Sequence, residues 1–415
     1  MTTFYDALET RDPADREAAL MAALPEHVAH AKQASRALGD ILAGVDAASI
    51  HSRAALARLP VTRKSELLAR QQAARAAGGD AFGGFAAVGY GPAMRRLYAS
   101  PGPIYEPEGM ARDYWRMGRA LYAAGFRAGE LAHNAFSYHM TPGAFMMESG
   151  AHAVGCTVFP AGTGQTEQQL QALAELQPAG YLGTPSFLRI LLEKAQEAGQ
   201  PLSLRKALVS GEACPPSLRD WFAQHHVAAY QCYATADCGL IAYETTAREG
   251  LVLDENVILE IVRPGTGDVL PDGEVGEVVV TVLNRDYPLI RFGTGDLSAV
   301  LPGACPSGRS NTRIKGWLGR ADQTTKVRGM FVHPGQVAEV VRRFAEVSKA
   351  RLVISGEMAN DQMTLHIESE PLDGLAERVA EAVREVTKLR GEVRIVPPGS
   401  LPNDGKVIED ARKYD

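Results

Sequence analysis

The pattern of apolar and polar positions changes near residue 85 of the chain. Residues 1–80 are rich in alanine, leucine, arginine and glutamate, which predicts a helical N-terminal segment. Beyond residue 85, short apolar runs at 154–159, 181–183 and 207–210 alternate with helical patterns such as 185–198. This alternation of buried strands and helices predicts a layered α/β core.

The pattern becomes rich in strands between residues 251 and 301, and a second compact unit follows after about 320. The elements predicted in that unit are helices near 335–345 and 375–389 and strands at 351–354, 363–368 and 392–396. We therefore predict an α/β protein with two domains, 1–319 and 320–415. The first is a large layered α/β domain with a β-rich subdomain, and the second is a small, mobile α+β domain.

Composition narrows the class of protein. The 415 residues carry a net charge of −6 without a long run of one sign, which argues against nucleic acid as a partner. The first residues lack the features of a signal peptide, and no apolar run is long enough to cross a bilayer, so no membrane partner is expected. Five scattered cysteines, an odd number, favour a reducing cytoplasm.

The stretch YQCYATAD at 230–237 is the first candidate for chemistry. Tyr233 lies four positions before Asp237, in a segment that follows a predicted strand. The aromatic ring could stack on a base, and the carboxylate could hold Mg²⁺ on a nucleotide phosphate. The same two residues also suit a core tyrosine and a surface aspartate.

Three further candidates follow along the chain. In LIRFGTGDL at 289–297, an apolar strand is expected to lead into a glycine-flanked turn whose tip carries Asp296. Its carboxylate could accept hydrogen bonds from the diol of a ribose, or Asp296 could be an ordinary turn aspartate. The stretch 318–329 lies at the domain boundary and suits either a charged hinge or a basic linker. A PNDG turn then presents Lys406 either as a point charge for a phosphate or as a solvated surface lysine.

Taken in order, these motifs resemble those of the adenylate-forming superfamily of acyl-CoA synthetases, and within it the phenylacetate–coenzyme A ligase-like family. LPVTRKSEL at 59–67, GTGQTEQQL at 162–170 and TPS at 184–186 fit the same family. The resemblance implies that ATP activates a carboxylic acid as an acyl-adenylate and releases pyrophosphate. The smaller domain then rotates, and coenzyme A takes the acyl group as a thioester. The implied cofactors are ATP or AMP, Mg²⁺ and coenzyme A.

The resemblance also assigns roles to individual positions. Lys406 would bridge the attacking carboxylate and the α-phosphate, Asp237 would bind Mg²⁺ where the family usually has glutamate, and Asp322 would be the hinge. Tyr233 would stack on adenine beside Gly211 and Glu212, Asp296 and Arg320 would hold the ribose, and Ser100 and Gly102 would belong to the phosphate loop.

The phosphate loop departs from the family pattern. Where the superfamily carries a loop of the type S-S-G-T-T-G-x-P, residues 99–107 read ASPGPIYEP. Pro101 and Pro103 have no N–H to donate to a phosphate, and Glu106 adds a negative charge. Arg95 and Arg96, just upstream, could compensate for these changes in the loop. Two alternatives therefore stay open, namely a non-catalytic or degenerate adenylate-binding homologue, and an enzyme that transfers the acyl group to a carrier-protein thiol or an amine.

The resemblance also bears on a structural metal. Many relatives hold zinc with a cysteine, a histidine and a C-x-C pair. The corresponding positions here are Cys305 and Ser307, with Thr245 and Val252 at the other two. Because tetrahedral zinc needs four nitrogen or sulfur ligands, we expect no zinc.

Residues 134–143 match the region that walls the acyl site in this family. Phe136, Tyr138 and Met140 offer a flat, polarisable surface that suits an aromatic acid, although all three could equally be core side chains. The expected partners are thus a small carboxylic acid, ATP and coenzyme A, with a homodimer left open.

Overall fold

The computed structural model describes residues 3–321, 325–332, 334–356, 360–402 and 406–412. The chain divides into two compact units, Met1–Gly319 and Arg320–Asp415. Within the described ranges, none of the helices combines the length and the apolar character that a membrane crossing requires.

The first unit begins with helices, as the composition predicts. Asp12 caps the longest of them by accepting hydrogen bonds from the backbone N–H groups of Ala14 and Asp15, and Pro13 occupies its first turn. A two-stranded antiparallel hairpin follows the helices. The elements are α1 Pro13–Ala34, α2 Arg36–Ile41, α3 Arg53–Leu56, β1 Thr62–Arg63, α4 Lys64–Ala76, β2 Met94–Ser100 and β3 Ile104–Gly109, with 3₁₀ turns at Ala7–Thr10 and Ala47–Ser49.

Strands and helices then alternate. The elements are α5 Gly118–Ala123, β4 Leu131–Asn134, α6 Gly143–Val154, β5 Thr157–Pro160, α7 Thr166–Leu176, β6 Gly180–Gly183, α8 Pro185–Glu197, β7 Lys206–Val209, α9 Pro216–Gln224 and β8 Ala228–Thr235. The five strands pair in parallel in the order β5-β4-β6-β7-β8. β6 is buried along its whole length, and β4 and β7 are buried beyond their first residue, which reflects the cover that crossover helices give to a parallel sheet.

The β-rich region completes the first unit, and its last strand ends at Arg320, the first residue of the second unit. Its strands are β9 Gly239–Glu244, β10 Leu251–Leu253, β11 Val257–Val262, β12 Gly276–Val282, β13 Phe292–Ser298, β14 Val300–Leu301, β15 Arg313–Ile314 and β16 Gly319–Arg320. β9, β10, β15 and β14 extend the parallel sheet with antiparallel pairs to nine strands. A second sheet runs β1-β13-β12-β11. β11 and β12 are buried along their whole length, so this sheet contributes much of the core.

One expected turn is a strand. Asp296 lies within β13 rather than at the tip of a glycine-flanked turn, so that part of the prediction is wrong. The glycines serve the pairing of β13 with β12. Gly295 has a φ of 74°, close to an irregularity in the register, and a Cβ on Gly293 would lie 2.8 Å from the Glu277 carboxylate.

The second unit is a small α+β module. It contains β17 Thr325–Val327, β18 Met330–Val332, α10 Pro334–Arg342, β19 Lys349–Ser355, β20 Gln362–Glu368, α11 Leu375–Thr387, β21 Glu392–Val396 and β22 Ile408–Asp410. Four strands form a sheet in the order β21-β20-β19-β22. Apolar residues of the two helices, such as Val340 and Val379, share one buried cluster with Leu365 and Ile367 of the sheet.

Candidate active site

The carboxyl ends of four neighbouring parallel strands carry most of the predicted site residues. Phe136 follows β4, Thr184 follows β6, Gly211 follows β7, and Tyr233 lies near the end of β8. In open α/β sheets, ligands bind in the crevice outside the carboxyl ends of the strands. The sheet therefore brings segments that are far apart in sequence to one edge.

Tyr233 and Asp296 meet at this edge although they belong to different sheets. The Tyr233 hydroxyl donates to Asp296 Oδ2 over 2.8 Å and lies 3.1 Å from Thr294 Oγ1. Trp317 Nε1–H donates to Asp296 Oδ1 over 3.0 Å. Burial, and after it the charge of Asp296, raises the pKa of Tyr233 well above its usual range, so the phenol stays a donor. A carboxylate oriented in this way can accept hydrogen bonds from a ribose diol.

Asp237 lies in the turn after β8 and is paired with Lys64, the first residue of α4. Lys64 Nζ is 2.7 Å from Asp237 Oδ2, and the Asp237 side chain is only 1% exposed. The other oxygen, Oδ1, is buried and has no hydrogen-bond partner among the described residues. One oxygen of this carboxylate is thus neutralised by an ammonium group, while the second can take a further ligand.

The predicted phosphate loop is the tight turn between β2 and β3. Ser100 pairs with Ile104, so only Pro101, Gly102 and Pro103 separate the two strands. The Ser100 hydroxyl donates to Glu106 Oε1, and its backbone N–H lies 3.4 Å from Glu106 Oε2. Of the three turn residues only Gly102 keeps a backbone N–H, which is too few for a phosphate nest.

The charge of Glu106 is not neutralised by the two upstream arginines. Arg96 lies 3.0 Å and Arg95 3.7 Å from Glu108, so both neutralise that residue instead. Burial, and then the charge of Asp237, raises the pKa of Glu106 to about 8, while Lys64 opposes this shift. The two arginines are therefore engaged by Glu108, and Lys64 is a cation that acts on Glu106.

Gly211 and Glu212 follow β7 beside the end of β8. Gly211 has a φ of 81°, a conformation that favours glycine. The Glu212 carboxylate accepts a long hydrogen bond of 3.4 Å from the backbone N–H of Ser186, at the start of α8. Ser210 donates to the carbonyl of Cys232 over 2.9 Å and thereby ties the end of β7 to β8. These bonds fix the segment that is predicted to line an adenine pocket.

The predicted acyl-pocket residues differ in their burial. The buried amide of Asn134 donates to the Tyr138 hydroxyl over 2.9 Å, and that hydroxyl donates to Glu148 over 2.8 Å. Phe136 and Tyr138 are half-buried, whereas Met140 is 73% exposed. The structure thus gives Tyr138 a fixed position and leaves Met140 mostly in solvent.

Three predicted positions belong to the second unit. Lys406 is exposed and lies just before β22, which pairs in parallel with β19. Asp322 and the Arg320 side chain lie outside the described residues, as do residues 403–405 of the turn before Lys406. Their assigned roles stay predictions.

The four positions matched to a zinc site are occupied by groups that bond to one another or pack together. Cys305 Sγ lies 3.1 Å from Ser307 Oγ and 3.9 Å from Thr245 Oγ1. Val252 belongs to the same buried apolar cluster as Cys305. In the part of the chain that the structure describes, no group of three or more His, Cys, Asp or Glu residues could hold a metal ion.

Sequence reasoning does not assign Lys64 or Trp317 to the site. Lys64 lies in the stretch 59–67 that fits the family, and its position at the start of a helix is a usable signal. Trp317 has none, because its contact with Asp296 spans 21 residues and depends on the path of the chain after β15.

Comparisons with known proteins identify the family. The AMP-binding enzyme family matches residues 117–282, and the AMP-binding enzyme C-terminal domain matches residues 329–412. A phenylacetate-coenzyme A ligase from Thermus thermophilus is 30% identical over 89% of this chain and 90% of its own length. The chain belongs to the phenylacetate–coenzyme A ligase family. A ligase of the same name from Aromatoleum evansii is 30% identical over 83% of this chain and 78% of its own.

The fold agrees with that family. A 2-hydroxyisobutyryl-CoA ligase in complex with 2-HIB-AMP and CoA superposes with a TM-score of 0.83, covering 100% of this chain and 93% of that one at 23% identity. The predicted family, the two-part α/β fold and the class of ATP-dependent acid–CoA ligase are thus confirmed.

Proposed function

We propose that this acid–CoA ligase activates an aromatic carboxylic acid as its acyl-adenylate and then transfers the acyl group to coenzyme A. The observation that carries the proposal is the hydrogen bond of 2.8 Å between Tyr233 and Asp296. It joins an aromatic ring suited to adenine and a carboxylate suited to ribose at the carboxyl edge of the sheet. A nucleotide bound there would direct its α-phosphate toward the segments that follow the neighbouring strands.

The remaining roles follow from position and chemistry. Gly211 and Glu212 would line the adenine pocket, Arg320 would reach the ribose, and Ser100 and Gly102 would face the phosphates. Asp322 would be the hinge of the second unit, and Lys406 would stabilise the charge that develops at the α-phosphate. A preorganised charge of this kind is typically worth about 3–4 kcal/mol in the barrier.

Asp237 is suited to hold Mg²⁺. Its Oδ1 atom is buried and unpartnered among the described residues, and carboxylate oxygens are the ligands that Mg²⁺ prefers. When bound, the ion would neutralise charge on the nucleotide phosphates. Lys64 holds the other oxygen and thereby orients the carboxylate.

The aromatic preference rests on Phe136 and Tyr138, which follow β4 at the same edge. The Tyr138 ring contacts Phe145 edge-on with 5.1 Å between centroids, and its hydroxyl is bound on both sides by Asn134 and Glu148. A ring held this firmly suits a planar acyl group better than a flexible chain.

The test is an activity assay with a panel of acids. The protein is incubated with ATP, Mg²⁺, CoA and either aryl or short aliphatic acids, and AMP, pyrophosphate and thioester are measured. Aryl acids should stimulate AMP release and yield thioester. Release of AMP without a CoA thioester would favour a carrier-protein thiol or an amine as the acceptor.

A degenerate adenylate-binding homologue is a second candidate, favoured by the turn that carries two prolines and by Glu106 behind it. It predicts tight binding of AMP without acid-stimulated release of pyrophosphate.

We also propose a cytoplasmic location, which the five free and buried thiols support. We further propose a homodimer, which light scattering would test.

A further inference from the structure

Two buried carboxylates, Glu106 of β3 and Asp237 after β8, lie on segments that both contact α4, and the charge of Asp237 acts on Glu106. Glu106 is 1% exposed, and Asp237 is 7% exposed. Gln71 of α4 fixes the strand that carries Glu106, since its side chain accepts from the backbone N–H of Tyr105 over 2.8 Å and donates to the carbonyl of Tyr105 over 2.9 Å. Lys64 begins the same helix and binds Asp237. The helix thus connects both carboxylates.

The polar atoms of this cluster are incompletely paired. Asp237 Oδ1 has no hydrogen-bond partner among the described residues, and neither does the hydroxyl of Tyr287, which is 2% exposed. Burial, and then the charges of Asp237 and Glu106, raise the pKa of Tyr287 well above its usual range, so its hydroxyl keeps its proton. Buried polar groups are rarely left unpaired in folded proteins, so these atoms point to a missing ligand.

The charges indicate which ligand it is. When both carboxylates are ionised, they and the ammonium group of Lys64 sum to a single negative charge, and both carboxylates are buried. Such a charge needs a cation or a proton. Mg²⁺ sites in nucleotide-binding enzymes commonly consist of one or two carboxylates completed by substrate phosphates and water.

We propose that Glu106 is a second carboxylate ligand, beside Asp237, for the divalent cation of this enzyme. The inference rests on the proposed function, because the nucleotide phosphates would complete the coordination. A metal ion at this place would also offset the altered turn between β2 and β3. Where a turn with two prolines offers the phosphates few N–H donors, a metal ion held by two protein carboxylates supplies positive charge instead.

The test measures metal binding without nucleotide. Mn²⁺ replaces Mg²⁺, and the electron paramagnetic resonance signal of free Mn²⁺ is recorded against protein at pH 8.5, above the value of about 8 to which burial raises the pKa of Glu106. The full-length wild type is compared with Glu106→Gln, Asp237→Asn and Glu108→Gln. Glu108 is a matched control because it is equally buried on the same strand but bound to Arg96 and Tyr98.

We expect one Mn²⁺ per chain for the wild type and for Glu108→Gln, and an affinity at least about tenfold weaker for Glu106→Gln and Asp237→Asn. Circular dichroism checks that each variant is folded. The inference is overturned if the wild type takes up no Mn²⁺, or if Glu106→Gln binds Mn²⁺ as the wild type does, since a proton would then neutralise Glu106.

Failure of this inference is distinguishable from failure of the proposed function. Acid-stimulated AMP release together with unchanged Mn²⁺ binding by Glu106→Gln would overturn the role of Glu106 alone. If Mn²⁺ binding depends on Glu106 but no acid stimulates AMP release, the metal site is supported and the proposed ligase reaction is overturned.

Discussion

Removing the Tyr233 hydroxyl tests how much its bond to Asp296 stabilises the first unit. Tyr233→Phe keeps the ring but deletes the donor that lies 2.8 Å from Asp296 Oδ2. Asp296 is only 7% exposed, so water replaces the lost donor poorly. A hydrogen bond to a charged group contributes about 1.5–3 kcal/mol, and we expect the free energy of unfolding to fall by about 2 kcal/mol. That corresponds to about a thirtyfold change in the folding equilibrium.

The assay is urea unfolding followed by tryptophan fluorescence. The chain has three tryptophans, Trp115, Trp221 and Trp317, and all of them lie in the first unit, so the signal reports that unit alone. Trp317→Phe is the matched control, because it removes the donor to the other oxygen of Asp296. Trp317 is 40% exposed, so water can replace its donor, and this variant should lose less than about 1 kcal/mol.

The nucleotide gives a second readout. If the Tyr233 ring stacks on adenine, Tyr233→Phe should keep most of the AMP affinity, while Tyr233→Ala should lose about 1–3 kcal/mol of binding. A Tyr233→Phe protein that is as stable as the wild type, or less perturbed than Trp317→Phe, would refute the reasoning about Asp296.

Three further changes have defined outcomes. Lys406→Ala should slow acid-dependent pyrophosphate release about 10²–10³-fold while AMP binding, measured by calorimetry, changes little. Burial lowers the pKa of His27 from 6.5 to about 4, so its neutral form stabilises the fold above pH 6.5 and that contribution is lost as the pH falls toward 4. The loss should be on the order of 3 kcal/mol in urea melts, and His27→Leu should abolish this pH dependence. Arg291→Met removes a guanidinium group that is 1% exposed and lies 2.9 Å from the Glu260 carboxylate. Because the buried carboxylate would then lack its partner, the free energy of unfolding should fall by about 3–5 kcal/mol. A fall of less than about 1 kcal/mol would contradict the importance of this pair.

Local patterns are sufficient for the two helices and the three longer strands of the second unit and for the alternating part of the first. The helix Leu375–Thr387 and the strand Glu392–Val396 lie where the sequence predicts them, because each has a strong apolar period and ends at turn residues. The short strands Thr325–Val327 and Ile408–Asp410 are not predicted, since three-residue strands carry too little pattern.

The motifs indicate the chemistry from residue types and their order alone. Tyr233, Asp237 and Asp296 each have a side chain suited to one part of a nucleotide, and their order along the chain resembles the family that the comparisons confirm. What each residue type can bind is a property of its own functional groups, so the sequence alone determines it.

Only the tertiary structure decided how these groups combine. The bond between Tyr233 and Asp296 spans 63 residues, and the pair of Lys64 with Asp237 spans 173. The neighbouring glycines predict a turn at Asp296, yet the pairing of β13 with β12 makes it part of a strand. From the sequence, Glu106 is a negative charge in an altered phosphate loop. In the structure it is buried and under the influence of the Asp237 charge, which makes it a candidate metal ligand. Burial and long-range contacts set the charge state and the partners of each group, and neither is encoded in the neighbouring residues.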